Sequence, residues 1–264
     1  MYKQFYGLSG EPFDKGIHPQ QLYTYPGMNE LINRFEYIKK HRGILLLTGE
    51  AGTGKTTSIR YFLNMLPENL FYPVYLPLST VGIIEFYKQL NDKLKGDLVI
   101  RKHELFKSIQ HQILEYTTNR NSVPVIIIDE AHYLKNENFH ELQIIMNFNI
   151  DSIDPCILII SGQSHLRDRL QRSILRSFDQ RISIKYSLSP LSPQIAIDYI
   201  KHGMNLVGGK DSIFTDAAYK AIANISGGII RLLGKLTVKT LIFGVNQKKH
   251  ELSEDDVLIA SKEL

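Results

Sequence analysis

One cysteine, Cys156, stands in the whole chain. A chain with a single thiol can form neither an intrachain disulfide nor a cysteine-rich metal site. Cys156 lies in an apolar run, where a buried, inert thiol is expected. No stretch approaches the ~18 apolar residues of a membrane-crossing helix. The first ten residues have no apolar core of the secretory-signal kind. Internal repeats and low-complexity tracts are missing as well. Neither sign of charge dominates: 31 basic against 27 acidic residues leave +4. That balance admits a nucleic-acid or acidic-membrane partner without requiring one. These absences together predict a soluble cytoplasmic protein. The 264 residues, 43% hydrophobic and 22% charged, suffice for one large domain and a small one.

What is present is an alternation of short apolar runs with longer periodic segments. Residues 44–47, 125–128 and 157–160 are branched, apolar and too short for buried helices, so they read as parallel strands buried on both faces. Residues 71–78 form a weaker strand interrupted by Pro73 and Pro77, and 181–188 alternate as a fifth. Between them, Ile83, Tyr87, Leu90 and Leu94 share a helical face, as do Leu105, Ile109 and Ile113. Strands alternating with helices predict an α/β fold with a parallel sheet covered on both sides. Pro190 to Pro193 form a rigid break. Beyond it only helices are predicted, with Thr215 and Ser253 as N-caps and Asp256 completing a capping box. The predicted organisation is an N-terminal segment 1–42 packing on the core, a core 43–190 and a helical domain 191–264.

Gly49-Glu50-Ala51-Gly52-Thr53-Gly54-Lys55-Thr56 fits GxxxxGK[ST] between a strand and a helical segment starting at Thr57, the context this phosphate-binding loop needs. The glycines let backbone N–H groups turn inward around phosphates, and the helix N-terminus adds partial positive charge. Lys55 would reach the β- and γ-phosphates, and the Thr56 hydroxyl would ligate Mg²⁺. The run 125–128 ends in Asp129-Glu130. Carboxylates at a strand's carboxyl end sit where an open parallel sheet binds ligands. Asp129 would hold the metal, and Glu130 would act as general base.

The third apolar strand runs into Ser161-Gly162-Gln163, where Gln163, or else Ser161, is placed to sense the γ-phosphate; a plain polar strand end is the alternative. Residues 166–185 carry six basic side chains, Arg167, Arg169, Arg172, Arg176, Arg181 and Lys185. They read either as a solvated face or as the source of an arginine for a neighbouring subunit's nucleotide, with Arg181 first and Arg176 second. Arg231, after Gly227-Gly228, is a candidate to reach back to the phosphates, the alternative being a surface arginine after a capping glycine. Phe13, Ile17 and Tyr25 are candidates to contact adenine, or core residues.

The ordered set GEAGTGKT, VIIIDE, SGQ, DQRI and SGGIIR resembles the AAA+ superfamily of P-loop NTPases. FYGLSGEPFDKGI, LPLSTVGIIEFYKQL and IFTDAAYKAIANISGGIIRLL resemble its ExeA-like ATPases, which have a secretion branch and a short stand-alone branch carried beside a transposase. The resemblance implies a five-stranded core with a helical lid, ATP hydrolysis with Mg²⁺ at a subunit interface, and a ring or helical homo-oligomer. Secretion members carry a transmembrane segment and a cell-wall module after the ATPase. Neither is found in these 264 residues, which favours the transposition branch, no membrane association, and duplex DNA and a transposase as partners. An ATPase acting on envelope proteins and a slowly hydrolysing ATP switch are the alternatives. Asp179, Ile230 and His132 depart from the family pattern, standing where arginine, proline and glutamine are usual. By likeness to initiator-type ATPases, Ser79, Thr80, Lys88, Arg101 and Lys102 are expected to face DNA; a solvated helix pair is the alternative.

Overall fold

The computed structural model describes residues 2–14, 16–76, 80–149 and 152–263. The chain divides into two compact units. One comprises Gly27–Glu50 and Lys55–Leu188, the other Met1–Pro26, Ala51–Gly54 and Ser189–Leu264. The 1–42 segment does not group as one piece. Its first part clusters with the helical unit, whereas the helix Pro26–His41 contributes all but its first residue to the sheet unit. The tip of the phosphate loop also clusters with the helical unit.

In the sheet unit, β1 (Gly43–Gly49), β2 (Phe71–Leu76), β3 (Val123–Ile128), β4 (Ile157–Gly162) and β5 (Ile182–Leu188) form one parallel sheet in the order β2-β3-β4-β1-β5. Every expected strand is present. Residues 77–78 of the second lie outside the described residues. The period-two geometry of a strand sorts consecutive residues to opposite faces. Ile44, Leu46, Ile126, Ile128, Leu158 and Ile160 join one core with Phe86, Leu90, Ile109 and Phe139. Leu45, Leu47, Val125, Ile127, Ile157 and Ile159 join the other with Leu31, Phe35, Ile38, Ile59 and Phe62. A one-residue slip would exchange the two cores, which fixes the register. Each fully buried leucine or isoleucine contributes about 1.5–3 kcal/mol.

Register also positions the chemistry. Thr48 pairs with Gly162, and Ile128 with Ile160. The segments leaving β1, β3 and β4 therefore emerge at one carboxyl edge, where a doubly wound sheet binds ligands. Helices Ile83–Lys93, Lys102–Thr118 and Asn136–Ile145 cover one face. They are cross-linked where Lys102 Nζ and Tyr87 Oη both donate to Glu141, at 2.6 and 2.7 Å.

The helical unit contains Pro193–Leu206, Asp216–Ile225, Ile230–Asn246 and Glu254–Ser261. Thr215 caps the second by accepting from the Ala218 N–H. Ser253 and Asp256 form the expected capping box on the fourth. Among the described residues no helix is long and apolar enough to cross a membrane. The Leu191 N–H donates to Gly228 O at 2.9 Å, and a Cβ on Gly228 would lie 2.0 Å from Leu191 O. Gly228 has φ +73° and Gly227 φ +57°, but Gly227 has open space around it. Gly228→Ala is therefore expected to destabilise the protein by about 2 kcal/mol or more, and Gly227→Ala by only about 1 kcal/mol. Urea denaturation of the two variants measures the difference; equal midpoints would contradict the close approach.

Candidate nucleotide site

The phosphate loop leaves β1 at Gly49 and ends where the helix Lys55–Met65 begins. The first backbone N–H groups of that helix, at Lys55, Thr56 and Thr57, have no intrahelical acceptor and form an anion-binding end. Lys55 is buried, and its Nζ donates to Gly49 O and Glu50 O, each at 2.9 Å. The loop's own carbonyls thus hold the cation over its mouth. Glu50 and Ala51 are exposed, Gly52 and Gly54 half-buried, and Thr53 is buried. Gly52 has φ +88°, and a Cβ there would meet the Arg231 Cβ at 2.9 Å. Within the helical unit the Arg231 N–H donates to Gly52 O at 3.1 Å. The arginine expected to touch phosphates thus touches the loop tip through its backbone.

Asp129 follows β3 and is buried. Its Oδ2 accepts from Thr56 Oγ1 at 2.8 Å and from Tyr75 Oη at 3.4 Å, and its Oδ1 accepts from the Glu130 N–H at 3.0 Å. Tyr75 was not anticipated as part of the site. Burial first, then the Asp129 carboxylate, push its phenol above the ordinary range, so it stays a neutral donor. Thr56 Oγ1 and Asp129 Oδ2 bring a hydroxyl and a carboxylate oxygen together. Such an oxygen-only pair fits Mg²⁺, which takes few protein ligands and completes its shell with phosphate and water. These residues therefore fit the metal that the motifs imply.

Glu130 turns the chain with φ +51° and exposes half of its side chain. His132 Nδ1 lies 3.3 Å from Glu130 Oε2 and 3.5 Å from the Gln163 backbone N. Burial is the largest cause holding the His132 imidazole below its ordinary range; Glu130 opposes it, and His165 and Lys55 reinforce it. Ser161 is wholly buried within β4, opposite Leu47, whereas Gln163 is half-buried just past the strand end. Of the two sensor candidates, Gln163 is the one the structure brings beside His132.

The basic run 166–185 turns partly inward. The Arg169 guanidinium donates to His132 O at 3.1 Å, to Leu134 O at 2.6 Å and twice to Asn136 Oδ1. It clamps the segment that follows Glu130. Lys185 Nζ is paired with Asp179 at 2.6 Å. Arg176 is exposed at the start of a short helix. Arg181 donates to Gln143 O at 3.4 Å and borders a surface cavity of about 500 Å³ with Phe106, His140 and Ile144.

Of the adenine candidates, the Phe13 ring is wedged among Gly203, Gly234 and Tyr199 in the helical unit, Tyr25 is buried and Ile17 half-buried. Of the DNA candidates, Thr80, Lys88 and Arg101 are exposed, and the Arg101 backbone caps its helix. Lys102 is committed to Glu141, and Ser79 lies outside the described residues.

Residues 38–170, half of the chain, match a family model for the AAA domain. The chain belongs to the AAA domain family. It is 30% identical over 272 residues to General secretion pathway protein A of Aeromonas hydrophila, covering 100% of this chain and 48% of that protein. This AAA domain chain thus spans about half the length of that curated relative. The similarity bears out the ExeA-like resemblance of the motifs. Among solved structures it is similar to Cdc6p from Pyrobaculum aerophilum, with TM-score 0.70 and 16% identity over 99% of this chain and 70% of that one. It is also similar to the Aeropyrum pernix ORC1 protein in complex with DNA, with TM-score 0.69 and 14% identity over 91% of this chain and 66% of that one. At such identities the likeness is one of fold.

The clamp yields a test within this AAA domain. Arg169→Ala leaves two carbonyls and Asn136 without their charged donor and should lower unfolding free energy by about 2 kcal/mol or more. Arg169→Lys should recover little, because an ammonium lacks the planar fork. An unchanged thermal transition in both variants would contradict the clamp.

Proposed function

We propose that this chain binds Mg·ATP at the Lys55 loop and hydrolyses it, forms an oligomer with ATP, and uses the cycle to control a transposase on duplex DNA. The observation that carries the ATPase part is the 2.8 Å contact of Thr56 with Asp129 next to the buried Lys55. Lys55 exchanges its carbonyl partners for β- and γ-phosphate oxygens, a charge-assisted contact stronger than the one it leaves. Thr56 and Asp129 would hold magnesium, which when bound would neutralise charge on the phosphate oxygens. Glu130 accepts a proton as water attacks the γ-phosphorus. The bond between that phosphorus and the bridging oxygen breaks, and ADP leaves. Gln163 senses the γ-phosphate, Arg231 couples the helical unit to the loop, and Arg181 or Arg176 serves a neighbouring copy's nucleotide.

The DNA part is supported by exposed Thr80, Lys88 and Arg101, by the positive net charge, and by the fold shared with a DNA-bound ORC1 protein. Contacts of this kind go mainly to phosphates, carry no sequence information and weaken with salt. A second reading, an ATPase working on envelope proteins, is favoured by the 30% identity to a general secretion pathway protein. Both readings use the same nucleotide site and differ in what stimulates it. Steady-state hydrolysis with and without duplex DNA separates them. The transposition reading expects DNA to raise turnover at low salt and the gain to shrink at ~200 mM salt and in Lys88→Ala/Arg101→Ala. Turnover indifferent to DNA would support the secretion reading. Glu130→Gln should bind ATP normally and lose turnover by roughly 10²–10⁴-fold.

A further inference from the structure

The Asp129 carboxylate is held from three places. The helix Lys55–Met65 brings the Thr56 hydroxyl to Oδ2 at 2.8 Å, the Glu130 backbone N–H meets Oδ1 at 3.0 Å, and the Tyr75 hydroxyl donates to Oδ2 at 3.4 Å. The phosphate loop and the acidic strand end supply the first two donors. Tyr75 belongs to neither.

β2 is the outer strand of the sheet, and its pairing with β3 sets Tyr75 opposite Ile127, two residues before Asp129. Val74 and Leu76 enter the core on one face, so Tyr75 lies on the other. On that face Phe71 packs against the cluster that includes Ile59 and Phe62, from the helix that carries Thr56. The two hydroxyls on Oδ2 thus come from elements on one side of the sheet. Tyr75 is 41% exposed, so water could satisfy its hydroxyl and folding alone does not need the contact.

At 3.4 Å the bond is longer than the about 2.7–2.8 Å usual for O–H···O, and as it stands it adds little to stability. Hydrogen bonds around a reacting centre are often long before ligand binds and tighten in the complex. Thr56 is the hydroxyl that a metal would recruit through its oxygen. Tyr75 is then the side-chain donor left for Oδ2 alone. Deleting such a donor has two opposed effects. It leaves the carboxylate more basic, which favours a cation, and free to turn, which disfavours one. Loss of outer-shell hydrogen bonds typically costs about 10–100-fold in metal affinity, so orientation wins.

We propose that Tyr75 is a positioning residue for magnesium: its hydroxyl keeps the Asp129 carboxylate in place when the Thr56 oxygen is taken up by the metal. The proposal rests on the reading of Thr56 and Asp129 as the magnesium pair.

Tyr75→Phe keeps the ring and deletes the hydroxyl. A fluorescent, non-hydrolysable ATP analogue is titrated onto the protein across a magnesium series and in EDTA. The magnesium concentration that half-saturates nucleotide binding should rise by about tenfold in Tyr75→Phe. Affinity for the analogue in EDTA should equal that of the wild type. In an Asp129→Asn background the same substitution should raise the magnesium requirement no further. An unchanged requirement in Tyr75→Phe, an equal loss of affinity in EDTA, or an additional rise on top of Asp129→Asn would each overturn the proposal. A wild-type protein that binds the analogue no tighter with magnesium than in EDTA would instead refute the reading of Thr56 and Asp129 as the metal pair.

Discussion

The hydrogen bond from Thr56 to Asp129 ties together the two halves of the candidate nucleotide site. It connects the helix after β1 to the segment after β3, two strands that are not neighbours but lie either side of β4. Such a contact forms only if the register of three strands is right, because a slip of one residue carries a side chain to the other face. The two-sided hydrophobic core thus does more than stabilise the chain. By leaving each strand only one acceptable register, it delivers a hydroxyl, a carboxylate and a buried ammonium to one edge of the sheet.

Charge in this protein is used inward more than its sequence suggests. Arg169 spends its guanidinium on the backbone that follows Glu130, Lys185 on Asp179, and Lys102 on Glu141. Each is long enough to join elements that apolar packing alone leaves free to slide, and the fork of Arg169 suits adjacent carbonyls better than an ammonium would. The cost is that fewer cations remain for a polyanionic partner, which leaves Lys88 and Arg101 as the more available part of the expected DNA-facing set.

Strands β1, β3 and β4 were legible because their short apolar runs are uninterrupted, the pattern of strands buried on both faces, whereas β2 carries Pro73 and β5 is legible only by its alternation. The phosphate loop and the Asp129-Glu130 pair were legible because their chemistry needs fixed spacing next to a strand. Two sheet-covering helices were not assigned. In Asn136–Ile145 the inward face carries Asn138 and Glu141, which break the apolar period, although both are buried. In Pro26–His41 the period of Leu31, Phe35 and Ile38 is there, but it is embedded among charged residues that mask it. The inward role of Arg169 left no trace in the sequence, because all four of its bonds depend on where residues 132–136 fold back, and two of those go to carbonyl oxygens that every residue possesses. Tyr75 escaped for a similar reason: its hydroxyl meets Asp129 across the pairing of β2 with β3, a long-range contact with no local signature.

On the proposed function, one metal-bound triphosphate is held by Lys55, Thr56 and Asp129 together. A crystal structure with magnesium and a non-hydrolysable ATP analogue tests it most directly. The metal should lie within coordination distance of Thr56 Oγ1 with Asp129 beside it, and Lys55 Nζ should have left the Gly49 and Glu50 carbonyls for phosphate oxygens. A triphosphate bound elsewhere, or a metal whose shell omits Thr56 while Lys55 keeps its carbonyl partners, would rule this binding mode out.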